Sequence, residues 1–348
     1  MTDSQKKDIR QFSNAELQAV MVSWGEQPFR GKQIHEWLWE KSAHTFQEMS
    51  NLSTSLRDKL SQEFEIRNLV VDTQQLSTDG TMKFGFKLFD DHIIEGVLIP
   101  TEGRYTACVS SQVGCSLSCS FCATGFLKRQ RNLTDAEIYD QYVLINNACR
   151  KQYGKPLTNV VFMGMGEPLL NYKNVLDGID RLTAEDGLNI SPKRITVSTA
   201  GIAKMIKKLG DDEVKFHLAL SLHATNDENR NKIMPINESN NLDVLVEALN
   251  YFYDKTEGRI TFEYILLDGV NDSEEDAHRL IKLARRVPGA KVNIIEYNPI
   301  DQADFQKPNL EQRAKFSRIM NTAGVTTTLR KSRGKDIDAA CGQLANKA

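Results

Sequence analysis

CVSSQVGCSLSCSFCATG, residues 108–125, carries four of the six cysteines in this chain of 348 residues. Cys115, Cys119 and Cys122 stand at C-x3-C-x2-C spacing, and Cys108 lies a few positions upstream. The residues just before, 106–110, read as a short strand, so the triad falls on the loop that leaves it. Three thiolates are one fewer than a closed tetrahedral metal site needs. A four-iron cubane held by three cysteines keeps one iron open for a substrate. The competing reading is a structural zinc with Cys108 as fourth ligand, but zinc ligands usually come as two short pairs, and this set does not.

Downstream, strand-like and helix-like segments alternate. Strands are predicted over 106–110, 160–163, 194–198, 216–221, 260–266, 291–296 and 325–329. Helices are predicted near 134–150, 172–184, 201–209, 242–254, 273–286 and 309–322. The first helix opens with Thr134 and Glu137 in a capping-box pattern, and Ile138, Tyr142, Ile145 and Cys149 form one face. Cys149 therefore reads as a core thiol. Six strand–helix units in succession imply an α/β fold with a parallel sheet and outer helices, either doubly wound or a partial barrel. In both, chemistry gathers at the carboxyl ends of the strands.

Upstream, residues 1–65 read as a small helical domain, with Leu52, Leu56 and Leu60 at fourfold spacing. Trp24, Trp37 and Trp39 could stack on bases, although core positions suit at least two of them. Residues 66–100 change period and form a β extension. Asp79-Gly80 between strand-like runs marks a hairpin. The core, 101–348, carries the rest.

The net charge is −2, with 26% charged and 40% apolar residues, as in an ordinary globular protein. There is no apolar run long enough to span a membrane and no signal-like start, so a cytoplasmic location is expected. Local basic clusters are Lys128, Arg129 and Arg131; Lys204, Lys207 and Lys208; and Arg330, Lys331, Arg333 and Lys335. The middle cluster interleaves with Ile202, Met205, Ile206 and Leu209 as on a solvated amphipathic helix. The last could hold phosphate.

Other candidate residues stand at strand ends. Gly164 and Gly166 in MGMGEP would let backbone approach a ligand, but lack the third glycine of a dinucleotide fingerprint. Ser198, Ser221, Leu222, His223 and Asn298 lie at or just beyond carboxyl ends. His223 alone would read as a structural histidine, and Glu95 as an exposed strand glutamate.

The motifs together are more specific. CVSSQVGCSLSCSFCATG, FMGMGEPLLNY, ITVSTAGI, LALSLHA, RNKIMPIN and RKSRGKDIDAACGQL, in this order, resemble the radical S-adenosylmethionine (SAM) enzymes that methylate carbon 2 of adenine in bacterial ribosomal and transfer RNA. The resemblance runs along nearly the whole chain. It implies a radical SAM partial (βα)6 barrel, one [4Fe-4S] cluster on Cys115, Cys119 and Cys122, and two SAM per turnover. It assigns SAM contacts to Gly166, Glu167, Ser198, Ser221, Leu222, His223 and Asn298. Cys341 becomes the methyl carrier, Cys108 its partner in a transient disulfide, and Glu95 a proton acceptor. The implied substrates are 23S rRNA at the peptidyl-transferase centre and tRNA at the adenine 3′ of the anticodon. A flavodoxin-type electron donor and a monomeric state are also expected.

A sister family that methylates carbon 8 shares the triad and the carrier pair. GMGEP rather than GMGEA, and RKSRG in place of a glutamine–phenylalanine pair before the glycine, favour carbon 2. A rival of another class is a non-catalytic RNA-binding protein with a structural metal. It would contain zinc and would have no need of Cys341.

Overall fold

A computed structural model describes residues 6–346. Ten strands form one sheet whose spatial order follows the chain: β1 (Val70–Leu76), β2 (Met82–Lys87), β3 (Ile93–Thr101), β4 (Arg104–Cys108), β5 (Asn159–Phe162), β6 (Ile195–Thr199), β7 (His217–Ser221), β8 (Ile260–Leu266), β9 (Lys291–Glu296) and β10 (Thr327–Arg330). The first four pair antiparallel. From β4 onward every pairing is parallel. Strands β1 and β10 are the sheet's two edges, so the curved parallel half is a barrel left open between β4 and β10.

The parallel strands need crossovers, and helices supply them. After α1 (Asn14–Ser23), α2 (Phe29–Trp39) and α3 (Thr54–Glu63) come α4 (Asp135–Tyr153), α5 (Tyr172–Thr183), α6 (Ala203–Asp211), α7 (Asp227–Ile233), α8 (Leu242–Thr256), α9 (Glu274–Arg285) and α10 (Leu310–Thr322). In α4, Thr134 accepts from the Glu137 amide at 3.1 Å and Glu137 accepts from the Thr134 amide at 2.9 Å. Gly154, at φ 63°, ends the helix in the left-handed region. Cys149 is fully buried on its inner face.

The helix α7 is absent from the sequence reading. Its seven residues, DENRNKI, are too few and too polar to show a period. Helix α6 starts two residues later than expected because Gly201 takes φ 105° with Leu245 packed over its Cα. The middle lysine cluster behaves as an amphipathic helix should: Ile206 and Leu209 are buried, while Lys207 and Lys208 pair with Glu247 and Asp212.

The amino-terminal helices bury Leu17, Met21, Ile34, Leu38, Trp39, Leu56 and Leu60. Trp39 meets Tyr139 of α4 edge-on at 5.2 Å. Buried Arg10 grips Asp140 with two contacts, at 2.7 and 2.9 Å, which fastens this module to the barrel. Of the three tryptophans, Trp39 is core, and Trp24 and Trp37 are half-buried beneath Lys59 and Lys41. Between β1 and β2 the Asp79-Gly80 turn closes a hairpin, with Gly80 at φ 86° and Asp79 accepting from the Thr81 amide. No described helix is long and apolar enough to cross a membrane.

The last described residues run back across the open side of the barrel. Asp336 accepts from Ser77 and Thr78 of the hairpin, and the Gly334 amide donates to Asp79. Further on, the Ala123 amide donates to Gly342, and Thr124 donates to Leu344. The segment ends with the Ala345 and Asn346 amides on the carboxylate of Glu95 in β3. Residues 331–346 thus strap the gap between β10 and β4 and carry Cys341 across it.

Candidate active site

Strand β4 delivers the chain to a loop that turns back on itself. The Cys115 amide donates to Leu127, the Cys122 amide to Cys119, and the Gly125 amide to Cys122. Glycine is required at Gly125, where a Cβ would stand 2.6 Å from the Cys119 carbonyl oxygen. These bonds turn the three thiols toward one cavity at the carboxyl ends of the barrel strands. Burial pushes all three thiols up, Cys115 to about 11, and mutual proximity of the sulfurs adds to this for Cys115 and Cys119. They are therefore neutral until a cation displaces their protons.

The donor set fits a cluster better than a single ion. Zinc with sulfur ligands at about 2.3 Å would bring its thiolates within about 4 Å of one another. Among the described residues no group of three acidic, cysteine or histidine side chains is placed to hold a single metal ion. A cubane takes each thiolate on a different iron, which three thiols facing one cavity can supply. Cys108, the candidate fourth zinc ligand, lines a separate cavity.

The cofactor cavity, which the three thiols line, is concave and open to solvent, and its other walls come from the carboxyl ends of the barrel strands. On its floor, Gly166 takes φ 93°, and a Cβ there would lie 2.5 Å from the Gln112 side chain. Glu167 is buried, with its carboxylate accepting from the Ala200 amide at 2.8 Å and the Leu169 amide at 3.0 Å. Burial pushes its pKa up, opposed by those amides. Ser198 and Ser221 line the wall with their hydroxyls 3.4 Å apart.

His223 stands at φ 58°, edge-on to Phe121, and its Nδ1 accepts from the Ile265 amide at 3.1 Å. An accepting Nδ1 requires the neutral ring protonated at Nε2. Burial, and then nearby Arg230, push its pKa down to about 3.

A second cavity adjoins the first, with about 1290 Å³ of empty space opening to solvent. Cys108 lies on its wall, and Cys341 belongs to both cavities. Burial raises Cys108 to about 12, and the nearness of Cys341 pushes the same way. Arg330, at the end of β10, sits between the cavities. Burial works against its charge, but Cys341, Glu263 and Cys108 outweigh that and raise its pKa. Buried Glu263 accepts from Arg330 at 3.3 Å and from Asn293 at 2.8 Å.

The expected residues divide. Cys115, Cys119, Cys122, Gly166, Glu167, Ser198, Ser221, His223 and Cys341 share the cofactor cavity, and Cys108 faces Cys341 from the second. Leu222 lines neither. It is wholly buried, with its amide on Glu263 and its carbonyl on Arg230. Asn298 also stands outside both, but its Nδ2 donates to the Cys341 carbonyl at 3.1 Å while its buried Oδ1 has no partner. Glu95 is not the exposed strand residue that its pattern allowed. It is buried against Lys83 at 3.3 Å and holds the carboxyl-terminal strap. All six cysteines are free thiols, so no Cys108–Cys341 disulfide is formed in this structure.

Three residues lay outside the sequence reading of the site. Glu263 stands in an apolar strand, and Arg330 opens a basic run expected only to hold phosphate. Arg230 of α7 is fully buried and donates to the carbonyls of Leu222, Ala200 and Ser221 and to Asn237, locking the ends of β6 and β7. An arginine in a polar heptad gives no signal of burial.

A partial parallel barrel with three cysteines on the loop after its first strand, beside a glycine-lined cavity, defines a radical SAM enzyme. Residues 109–281 match the radical SAM superfamily, and residues 7–66 match the ribosomal RNA large subunit methyltransferase N-terminal domain. A probable dual-specificity RNA methyltransferase RlmN of Cytophaga hutchinsonii is 57% identical over 99% of this chain and 94% of that protein. Another protein of the same description, from Flavobacterium psychrophilum, is 53% identical over 99% of each. A crystal structure of a radical SAM methyltransferase from Sphaerobacter thermophilus superposes with a TM-score of 0.91 at 38% identity, covering 97% of this chain and 99% of that one. The chain belongs to the RlmN family of dual-specificity RNA methyltransferases.

Proposed function

We propose that this enzyme methylates carbon 2 of adenine in 23S rRNA, at the peptidyl-transferase centre, and in tRNA, 3′ of the anticodon. One observation carries the reading beyond family membership. Two thiols outside the triad, Cys108 and Cys341, stand at a cavity that adjoins the cofactor cavity.

Carbon 2 lies between two ring nitrogens and is electron-poor, so it will not attack a methyl sulfonium. A thiolate will, and Cys341 is the carrier thiol. Its backbone is held by Asn298, and Arg330 lines the same cavities. Cys115, Cys119 and Cys122 would hold the cluster. The cluster would supply a low-potential electron for reductive cleavage of SAM. Gly166, Glu167, Ser198, Ser221 and His223 would line the SAM site, with Leu222 and Asn298 acting through backbone positions.

The former methyl carbon would join the Cys341 sulfur to carbon 2. Cys108 then attacks that sulfur, and the sulfur–carbon bond breaks with its electron pair going to the carbon. That carbon takes a proton to become the product methyl group, and the Cys108–Cys341 disulfide must be reduced before another cycle. Burial keeps the Cys108 thiol protonated until then. Glu95 accepts the ring proton once the strap releases its carboxylate. Two SAM are used per turnover, one as methyl source and one as radical precursor. The helical module, 1–65, and the β extension, 66–100, are accessory to a core over 101–348. The enzyme works as a cytoplasmic monomer with a flavodoxin-type donor.

Nucleoside mass spectrometry of 23S rRNA fragments and tRNA treated with the anaerobically reconstituted enzyme tests this. 2-Methyladenosine is the expected product. Methyl at carbon 8, or none in either RNA, overturns the proposal.

A further inference from the structure

The two adjoining cavities differ in charge. The cofactor cavity includes two carboxylates, Glu167 and Glu263. The second is lined by four cations, Arg104, Arg330, Lys331 and Arg333, and by no aspartate or glutamate. Half-buried arginines elsewhere are paired, Arg131 with Asp90 and Glu137, Arg313 with Glu296 and Arg279 with Asp276, whereas at this cavity Arg330 and Arg333 are half-buried and Arg104 and Lys331 are exposed.

Among the described residues only Arg330 of these four has a carboxylate partner, and that partner, Glu263, lines the first cavity. Arg104 makes a single hydrogen bond, from Nε to the Thr106 hydroxyl at 3.1 Å, which leaves the rest of its guanidinium fork facing the cavity. Arg333 donates once, to the Asp79 carbonyl. Four cations gathered in one concave space focus a positive potential there, and that potential draws in an anion. Guanidinium forks match phosphate oxygens in shape as well as charge.

The position fits a nucleotide. Arg104, Thr106 and Cys108 alternate along β4 and share one face. At about 3.3 Å per residue, Arg104 stands about 13 Å from Cys108 along the strand. The wall beside Cys108 is apolar, formed by Ile99, Met163 and Ile295, and suits a flat base.

Resting on the reading of RNA methylation above, we propose that the second cavity is a phosphodiester subsite. Arg104 and Arg333, with Lys331, hold the backbone of the RNA strand whose adenine is presented to Cys108 and Cys341.

Binding of an unmodified tRNA anticodon stem-loop by the reconstituted holoenzyme, followed by fluorescence anisotropy across a salt series, tests the subsite. Each phosphate contact on a single strand contributes about 0.7 to the slope of log affinity against log salt. Arg104→Gln and Arg333→Gln should each lower the slope by about that amount and weaken binding several-fold. Arg104→Lys should keep the slope, because it keeps the charge. Lys207→Gln, on exposed α6, should leave binding unchanged. Iron content and melting temperature of each variant show that it is folded. Unchanged slopes in both glutamine variants, while the wild-type enzyme binds and methylates the RNA, would overturn the subsite. A wild-type enzyme that binds and methylates no RNA overturns the functional reading itself, and the subsite falls with it.

Discussion

Replacing Glu95 separates two tasks that its carboxylate could perform: anchoring the strap that carries Cys341, and accepting a proton. One oxygen, Oε2, receives the amides of Ala345 at 2.8 Å and Asn346 at 3.1 Å, and the other lies 3.3 Å from the Lys83 ammonium. Hydrogen bonds to a charged group are worth about 1.5–3 kcal/mol each. These two share an acceptor and are not additive, so about 3 kcal/mol of strap docking rests on them. At a factor of ten per about 1.4 kcal/mol, losing them raises the undocked population about 100-fold. Glu95→Gln alone would also leave Lys83 buried and unpaired, a cost of about 3–5 kcal/mol that would blur the result. The comparison is therefore the wild-type parent against Lys83→Met/Glu95→Met, which removes the acceptor and leaves neither charge buried alone. Amide hydrogen exchange over residues 335–346 should speed up about 100-fold in the double variant, while α4 keeps its protection. Exchange within about threefold of the parent would refute the anchor and leave Glu95 with the proton alone.

Two further outcomes follow from the site. Cys108→Ala should keep its iron, since Cys108 is outside the triad, and should stall as a covalent protein–RNA complex through Cys341. A denaturing gel before and after nuclease, with peptide mapping, would reveal it, and normal release of methylated RNA would defeat the displacing role. His223 has its pKa depressed to about 3, against an unfolded value of about 6.5. Its contribution is complete above pH 6.5 and is lost as pH falls toward 3, because the unfolded state takes the proton first. Relative to His223→Gln, the apoprotein should lose about 2 kcal/mol between pH 6.5 and 5, measured by urea unfolding. A pH-independent difference would contradict the buried neutral ring.

Local chemistry made much of this protein legible in advance. The alternation of strands and helices needed only periodicity and caps, as α4 shows with Thr134, Glu137 and Gly154. The triad was legible because its spacing is a local property of eight residues and its loop follows a recognisable strand. Neighbours in sequence are neighbours in space, so such signals survive without knowledge of the fold.

Contacts between distant segments behave differently. Nothing in DENRNKI announces that Arg230 closes over three carbonyls, because burial of a polar residue depends on what the fold lays on top of it. Arg330 and Lys331 are adjacent in one basic run, yet the first turns to Glu263 between the cavities while the second is exposed at the rim. Glu95 changes from a strand residue to the anchor of the chain's end only because the strap returns across the open barrel. By itself, the sequence determined the parallel strands, the longer helices between them and the loop of the cysteine triad, all set by interactions over a few residues. The tertiary structure alone decided that Cys108 and Cys341 line one cavity, that the cavities differ in charge, and what closes the barrel. Those facts depend on which distant surfaces exclude water from one another, and no short stretch of sequence encodes that.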